Sequence, residues 1–158
     1  MKRDELIKKL KQYFKIEELV CPHVYNKYRE EQMWSFFSMA ALETLLVLRE
    51  YIIQKPFIIN NWKSGGSYSQ RGLRCNICAI PKEKTNLEKV YMSAHCTGEA
   101  YDITVQGMSA EEARQLIIKN QDNLPYPIRL VYRDWETDRK STRLNSSHSA
   151  KSRMPSSA

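Results

Sequence analysis

Apolar positions in the first fourteen residues recur at helical spacing. Leu6, Ile7, Leu10, Tyr13 and Phe14 share one face and lysines fill the other, which predicts an amphipathic helix. The stretch IEELVCPHVYNKY breaks that rhythm, and Pro22 within it reads as loop. Met33, Phe36, Phe37, Ala40, Ala41, Thr44, Leu45, Leu48 and Ile52 then follow at steps of three and four, a broad apolar face suited to packing on a sheet. Within it, MWSFF is read as core. Lys55-Pro56 ends this second helix, because a residue before proline is pushed out of the helical region. FIIN reads as a short buried strand.

Residues 61–89 form a long, polar, glycine-containing stretch, and loops of that length inside a domain usually carry function. EAYDITV predicts a strand: Tyr101, Ile103 and Val105 alternate with Ala100, Asp102 and Thr104, so one face is apolar and the other carries a carboxylate. GMSAEEARQLIIKN predicts a helix with Ser109 as N-cap, Glu112 completing a capping box, and Ala113, Leu116 and Ile117 turned to the core. LPYPIRLVY reads as a turn and a further strand. The expected fold is α+β: a small, largely antiparallel sheet with two N-terminal helices and one later helix.

Composition narrows the class. With 158 residues, 42% of them hydrophobic and 27% charged, the chain fits one globular domain, expected as a monomer. No apolar run approaches the ~18 residues that suggest a membrane span. MKRDELIKKLKQYF lacks the apolar core and cleavage site of a secretory signal. Of the formal charge of +7, six Lys/Arg against three Asp/Glu from Arg133 onward account for +3, leaving +4 on the body. That balance, without a basic stripe interleaved with aromatics, argues against nucleic acid as a partner.

The composition changes towards the C-terminus. DRKSTRLNSSHSAKSRMPSSA has no aromatic residue and almost no large aliphatic one, too little to offset its ordering entropy. It also resembles a translated sequencing-adapter artefact, beginning as early as Val131. The expectation is a domain over 1–132 that lacks its native C-terminus, and a non-native tail without structure over 133–158.

The chemistry concentrates in SAHCTGEAYD. His95 offers an imidazole nitrogen and Asp102 a carboxylate, both suited to Zn2+; Gly98 permits a turn between them, and Ala100 leaves room beside Asp102. Ser93 is placed to orient a ligand through its hydroxyl. The same residues also fit a loop histidine hydrogen-bonded to a strand aspartate.

Ser93-x-His95-x-x-Gly98-x-Ala100-x-Asp102 resembles the signature of the zinc D-alanyl-D-alanine metallopeptidases, whose fold is shared with the hedgehog signalling domain. INNWKSGGSYSQRGLRCN and NLPYPIRL resemble a phage and bacterial branch of that family, so the likeness spans roughly residues 14–130. The resemblance implies a peptidase acting on peptidoglycan stem peptides at or next to D-alanine. It implies His95 and Asp102 as zinc ligands, and Arg71 as the group binding substrate or stabilising the oxyanion. With no secretory signal visible, the protein is expected to be cytoplasmic or, as the resemblance to the phage branch implies, phage-encoded and released to the cell wall. The family's third ligand, a histidine preceded by an acidic base, has no counterpart in VYRDWETDRKS; His148 is the one downstream histidine, and it lies in the tail. A chain of this pattern is expected to be inactive, or to be a metal- or wall-binding module of the same fold.

Cys75-x-x-Cys78 has ligand-like spacing, and Cys96 adjoins His95, but no second Cys-x-x-Cys follows. A structural zinc built from Cys75, Cys78, Cys96 and His95 is one reading. The expectation preferred here is buried or spectator thiols, for Cys21 beside His23 as well. Trp62 and Tyr68 fit either a substrate groove or packing over the sheet edge.

Overall fold

A computed structural model describes residues 1–132 and 142–145. The first helix, α1 (Arg3–Leu10), buries Leu6 and Leu10 as its periodicity predicts and packs against α4 (Met39–Val47). Between them lie a 3-10 turn (Ile16–Glu18), α2 (Pro22–Lys27) and α3 (Glu30–Ser35). Pro22 therefore opens a helix instead of marking a loop. At the first helical position its missing N–H costs nothing and its fixed φ is already helical.

The long helix expected from Met33 to Ile52 is two. α3 stops at Ser35, and Ser38 caps α4 by accepting from Ala41 N at 3.0 Å. The backbone N–H of Ser38 donates to Gly98 O, so a distant loop fixes the break. The apolar spacing continues through it: Met33, Trp34 and Phe37 are buried, as are Ala40, Ala41, Leu42 and Leu45. α4 runs on into a π-helical turn (Leu48–Ile52) that ends before Pro56.

Strand β1 (Phe57–Ile58) follows, then a 3-10 turn (Trp62–Ser64) and α5 (Ala79–Asn86), both inside the stretch expected to be loop. Strand β2 (Ala100–Val105) shows the predicted alternation: Tyr101, Ile103 and Val105 are buried, while Asp102 and Thr104 are half-buried. Helix α6 (Ala110–Lys119) carries the predicted capping box of Ser109 and Glu112 and lays Ala113 and Ile117 on the core, with Leu116 partly buried. Strands β3 (Arg129–Tyr132) and β4 (Thr142–Asn145) complete a sheet of order β1-β2-β4-β3, antiparallel throughout.

The class is α+β, with more helices than the three expected. Thr142–Asn145 lies in the segment expected to lack structure, yet it pairs along β2 with Asp102 opposite Arg143. Residues 133–141 and 146–158, His148 among them, lie outside the described residues. One apolar cluster joins the helices to β2, and each fully buried Leu, Ile or Phe in it contributes roughly 1.5–3 kcal/mol. No helix among the described residues is long and apolar enough to cross a membrane.

Candidate metal centre

β2 presents Asp102 and Thr104 on its polar face, and three segments converge there. The first is the strip around Arg71–Arg74. Leu73 N donates to Leu19 O at 2.8 Å and Cys21 N to Leu73 O at 3.0 Å, a parallel bridge between residues 20 and 73. Gly72 sits where the two backbones touch: a Cβ there would lie 2.3 Å from Leu19 O. On the other side of the strip, Asp102 N donates to Arg71 O at 2.7 Å, so the strip is held between the N-terminal segment and β2.

The second segment is the turn carrying His95. Ser93 Oγ accepts from His95 N at 3.2 Å, and Arg74 N donates to His95 O at 3.2 Å. Gly98, at φ +73°, returns the chain toward β2 against the Phe36 carbonyl. The third segment is β2 itself.

Together they bury His95 (2% exposed) with its ring facing Asp102, Nε2 to Oδ1 at 3.6 Å. His95 Nδ1 lies 2.9 Å from Gly72 O, and a carbonyl only accepts. Nδ1 therefore carries the proton, and in the neutral ring Nε2 presents a lone pair. That atom is buried without a hydrogen-bond partner among the described residues. Two acceptors aimed at each other repel unless a proton or a metal cation lies between them. Donors on a tetrahedral zinc, each ~2.0–2.1 Å from the metal, stand about 3.4 Å apart, close to the separation here. An N–H bound to a backbone carbonyl, with the other nitrogen left for metal, is the usual support of a ligating histidine.

The structure thus brings together the two residues that the sequence singled out, and it alters the roles around them. Ser93 shapes the His95 backbone, whereas Gly72 O orients the ring. Arg71 lies on the Asp102 face of β2: its guanidinium donates to Thr104 Oγ1 at 2.7 Å and stacks 4.0 Å above the Tyr68 ring. Arg74, which sequence reasoning passed over, is 4% exposed, with one nitrogen 4.0 Å from Asp102 Oδ2 and another donating to Tyr91 Oη at 2.8 Å. Trp62 packs, donating to Val20 O and meeting Tyr25 edge-on. Among the described residues no third metal-binding side chain joins His95 and Asp102.

A separate group does assemble. Cys21, His23, Cys75 and Cys78 bring their ligand atoms within 4.8 Å of one another, a group able to hold a metal ion. The spectator reading of these thiols gives way to a cluster. The set of Cys75, Cys78, Cys96 and His95 does not form: Cys96 is exposed and His95 faces Asp102. The Cys21 thiol is lowered, first by a hydrogen bond from Cys78 and then by backbone N–H groups of Val24 and Cys75 acting against its burial. The Cys78 thiol, as donor, is pushed up.

No family profile, curated protein or solved structure matches the chain.

Proposed function

We propose that this chain is a zinc-peptidase domain of the D-alanyl-D-alanine metallopeptidase type, directed at peptidoglycan stem peptides at or next to D-alanine. The observation that carries the reading is the His95–Asp102 pair: a buried imidazole nitrogen, with the ring held by Gly72 O, faces a carboxylate 3.6 Å away. That arrangement suits a shared metal cation.

Zn2+ held there supplies Lewis acidity toward a scissile carbonyl and lowers the pKa of a coordinated water. The chain's own part is positional. β2 fixes the direction of Asp102, and the Gly72 carbonyl holds the His95 ring. Arg71, rigid between Thr104 and the Tyr68 face, places a permanent cation on the same side of the sheet, where a peptide carboxylate or a developing oxyanion would sit. Arg74 places a second cation beside Asp102 on its inner side.

The described residues supply two ligands where a catalytic zinc takes three from protein. That favours, as a second reading, a module of the same fold that binds metal or cell wall without turnover. Metal analysis tests the first reading. Zinc content should fall by one equivalent per chain in His95→Ala and in Asp102→Ala, and content unchanged by both would overturn it. Hydrolysis of a D-Ala-D-Ala-terminated peptide by the zinc-loaded chain separates enzyme from binding module.

A further inference from the structure

The four residues Cys21, His23, Cys75 and Cys78 are arranged more narrowly than a chance meeting of thiols requires. Cys75 Sγ and Cys78 Sγ are 3.8 Å apart, and His23 Nδ1 lies 3.5 Å from Cys75 Sγ and 3.6 Å from Cys78 Sγ. With zinc–sulfur bonds of ~2.3 Å and zinc–nitrogen bonds of ~2.0–2.1 Å, a tetrahedron requires about 3.8 Å between two sulfurs and about 3.6 Å between sulfur and nitrogen. All three spacings agree. A disulfide, at ~2.05 Å, is a different geometry, and all four cysteines are free.

The backbone is built for the same purpose. Cys75-x-x-Cys78 turns through Cys78 N donating to Cys75 O at 3.3 Å, immediately before α5, so both sulfurs leave one side of a tight bend. Cys21 and His23 stand two apart at the start of α2, where Pro22 holds the entry into the helix. The bridge between residues 20 and 73 brings the two half-sites into register.

We propose that Cys21, His23, Cys75 and Cys78 form a closed, four-coordinate structural zinc site, distinct from the His95–Asp102 pair. Three thiolates and one imidazole complete the shell, leaving no position for substrate, which is the mark of a structural and not a catalytic centre. Zinc is selected because sulfur-rich tetrahedral sites suit it and disfavour magnesium or calcium. Its task is to clamp the strip at residues 71–78 to the segment at residues 19–23. That strip carries Arg71, Arg74 and the Gly72 carbonyl on His95, so the clamp sets the alignment of the other site from behind.

The test uses the full chain purified without chelator. One equivalent of zinc should remain in His95→Ala and Asp102→Ala and be lost in the double variant Cys75→Ser/Cys78→Ser. Zinc retained at full stoichiometry in the cysteine variant would overturn the proposal. Should that variant fail to fold, cobalt exchanged into the unaltered chain decides. Intense tetrahedral d–d bands with sulfur-to-cobalt charge transfer, weakened in His23→Ala, are expected, and a spectrum without sulfur charge transfer refutes the site. A structural clamp also predicts that stripping the metal speeds amide exchange at residues 71–78 and 93–98 in a chain already carrying His95→Ala. Unchanged exchange there would refute the clamp. Loss of metal in His95→Ala but not in the cysteine variant would leave the peptidase reading standing and remove this one.

Discussion

Substituting Gly98 by alanine tests the turn that sets His95 against β2. Gly98 has φ +73°, and an added Cβ would lie 2.2 Å from the Phe36 carbonyl oxygen, which is backbone and cannot rotate away. The left-handed conformation costs an alanine about 1–2 kcal/mol. Forcing the Phe36 segment aside adds about 1–3 kcal/mol, the range for overpacked sites. The structure contains its own control: Gly107 has the same φ of +73°, but a Cβ there meets only the flexible Lys55 Nζ at 3.9 Å. Gly107→Ala should therefore show the conformational cost alone, and Gly98→Ala should exceed it by about 1–3 kcal/mol. Urea unfolding followed by tryptophan fluorescence measures both, and equal slopes would show that the variants unfold from comparable states. If the two midpoints coincide, the close approach of residue 98 to Phe36 is not what the turn depends on.

Three further outcomes follow from named contacts. Tyr101 is buried, its hydroxyl has no hydrogen-bond partner among the described residues, and burial pushes its pKa up; Tyr101→Phe should leave stability unchanged or raise it by about 1 kcal/mol, and a clear loss in urea unfolding would contradict this. Ser38→Ala removes the cap of α4 and should cost about 1 kcal/mol by the same measurement, with a change near zero refuting the cap. Arg74→Gln leaves Asp102 facing His95 without its inner cation and should cost about 3 kcal/mol in metal-free protein. Added zinc should recover part of that loss by binding the folded state, and a recovery that His95→Ala leaves undiminished would count against the His95–Asp102 site.

What the sequence revealed and what it hid divide along sequence separation. β2 and α6 were legible because a period of two over Ala100–Val105, and a capping box ahead of Ala113 and Ile117, are local patterns. His95 and Asp102 stood out because a short signature holds both. The end of α3 was hidden: apolar spacing runs straight across residues 36–38, and the break depends on a Gly98 carbonyl sixty residues on. Pro22 was misread because the same residue ends one helix and begins another, and only the neighbouring backbone decides. Arg74 carries no signal of its own, since its value lies in the distance to Asp102. The cysteine cluster was split for the same reason: Cys21-x-His23 and Cys75-x-x-Cys78 are half-sites more than fifty residues apart, joined by a backbone bridge that no periodicity announces.

That bridge has a consequence for how the protein is made. Ribosomes add roughly 5–20 residues per second, so Cys21 and His23 are made about 3–11 s before Cys78. Closing a span of that length across an unstructured chain costs about 3.5 kcal/mol of entropy. Much of the span, however, is α2 to α4, which form from near neighbours and shorten the effective distance while translation continues. Residue 20 therefore waits beside a partly ordered bundle for residue 73, and an oxidant or competing metal reaching the early pair in those seconds would divert the nascent chain before its second half arrives.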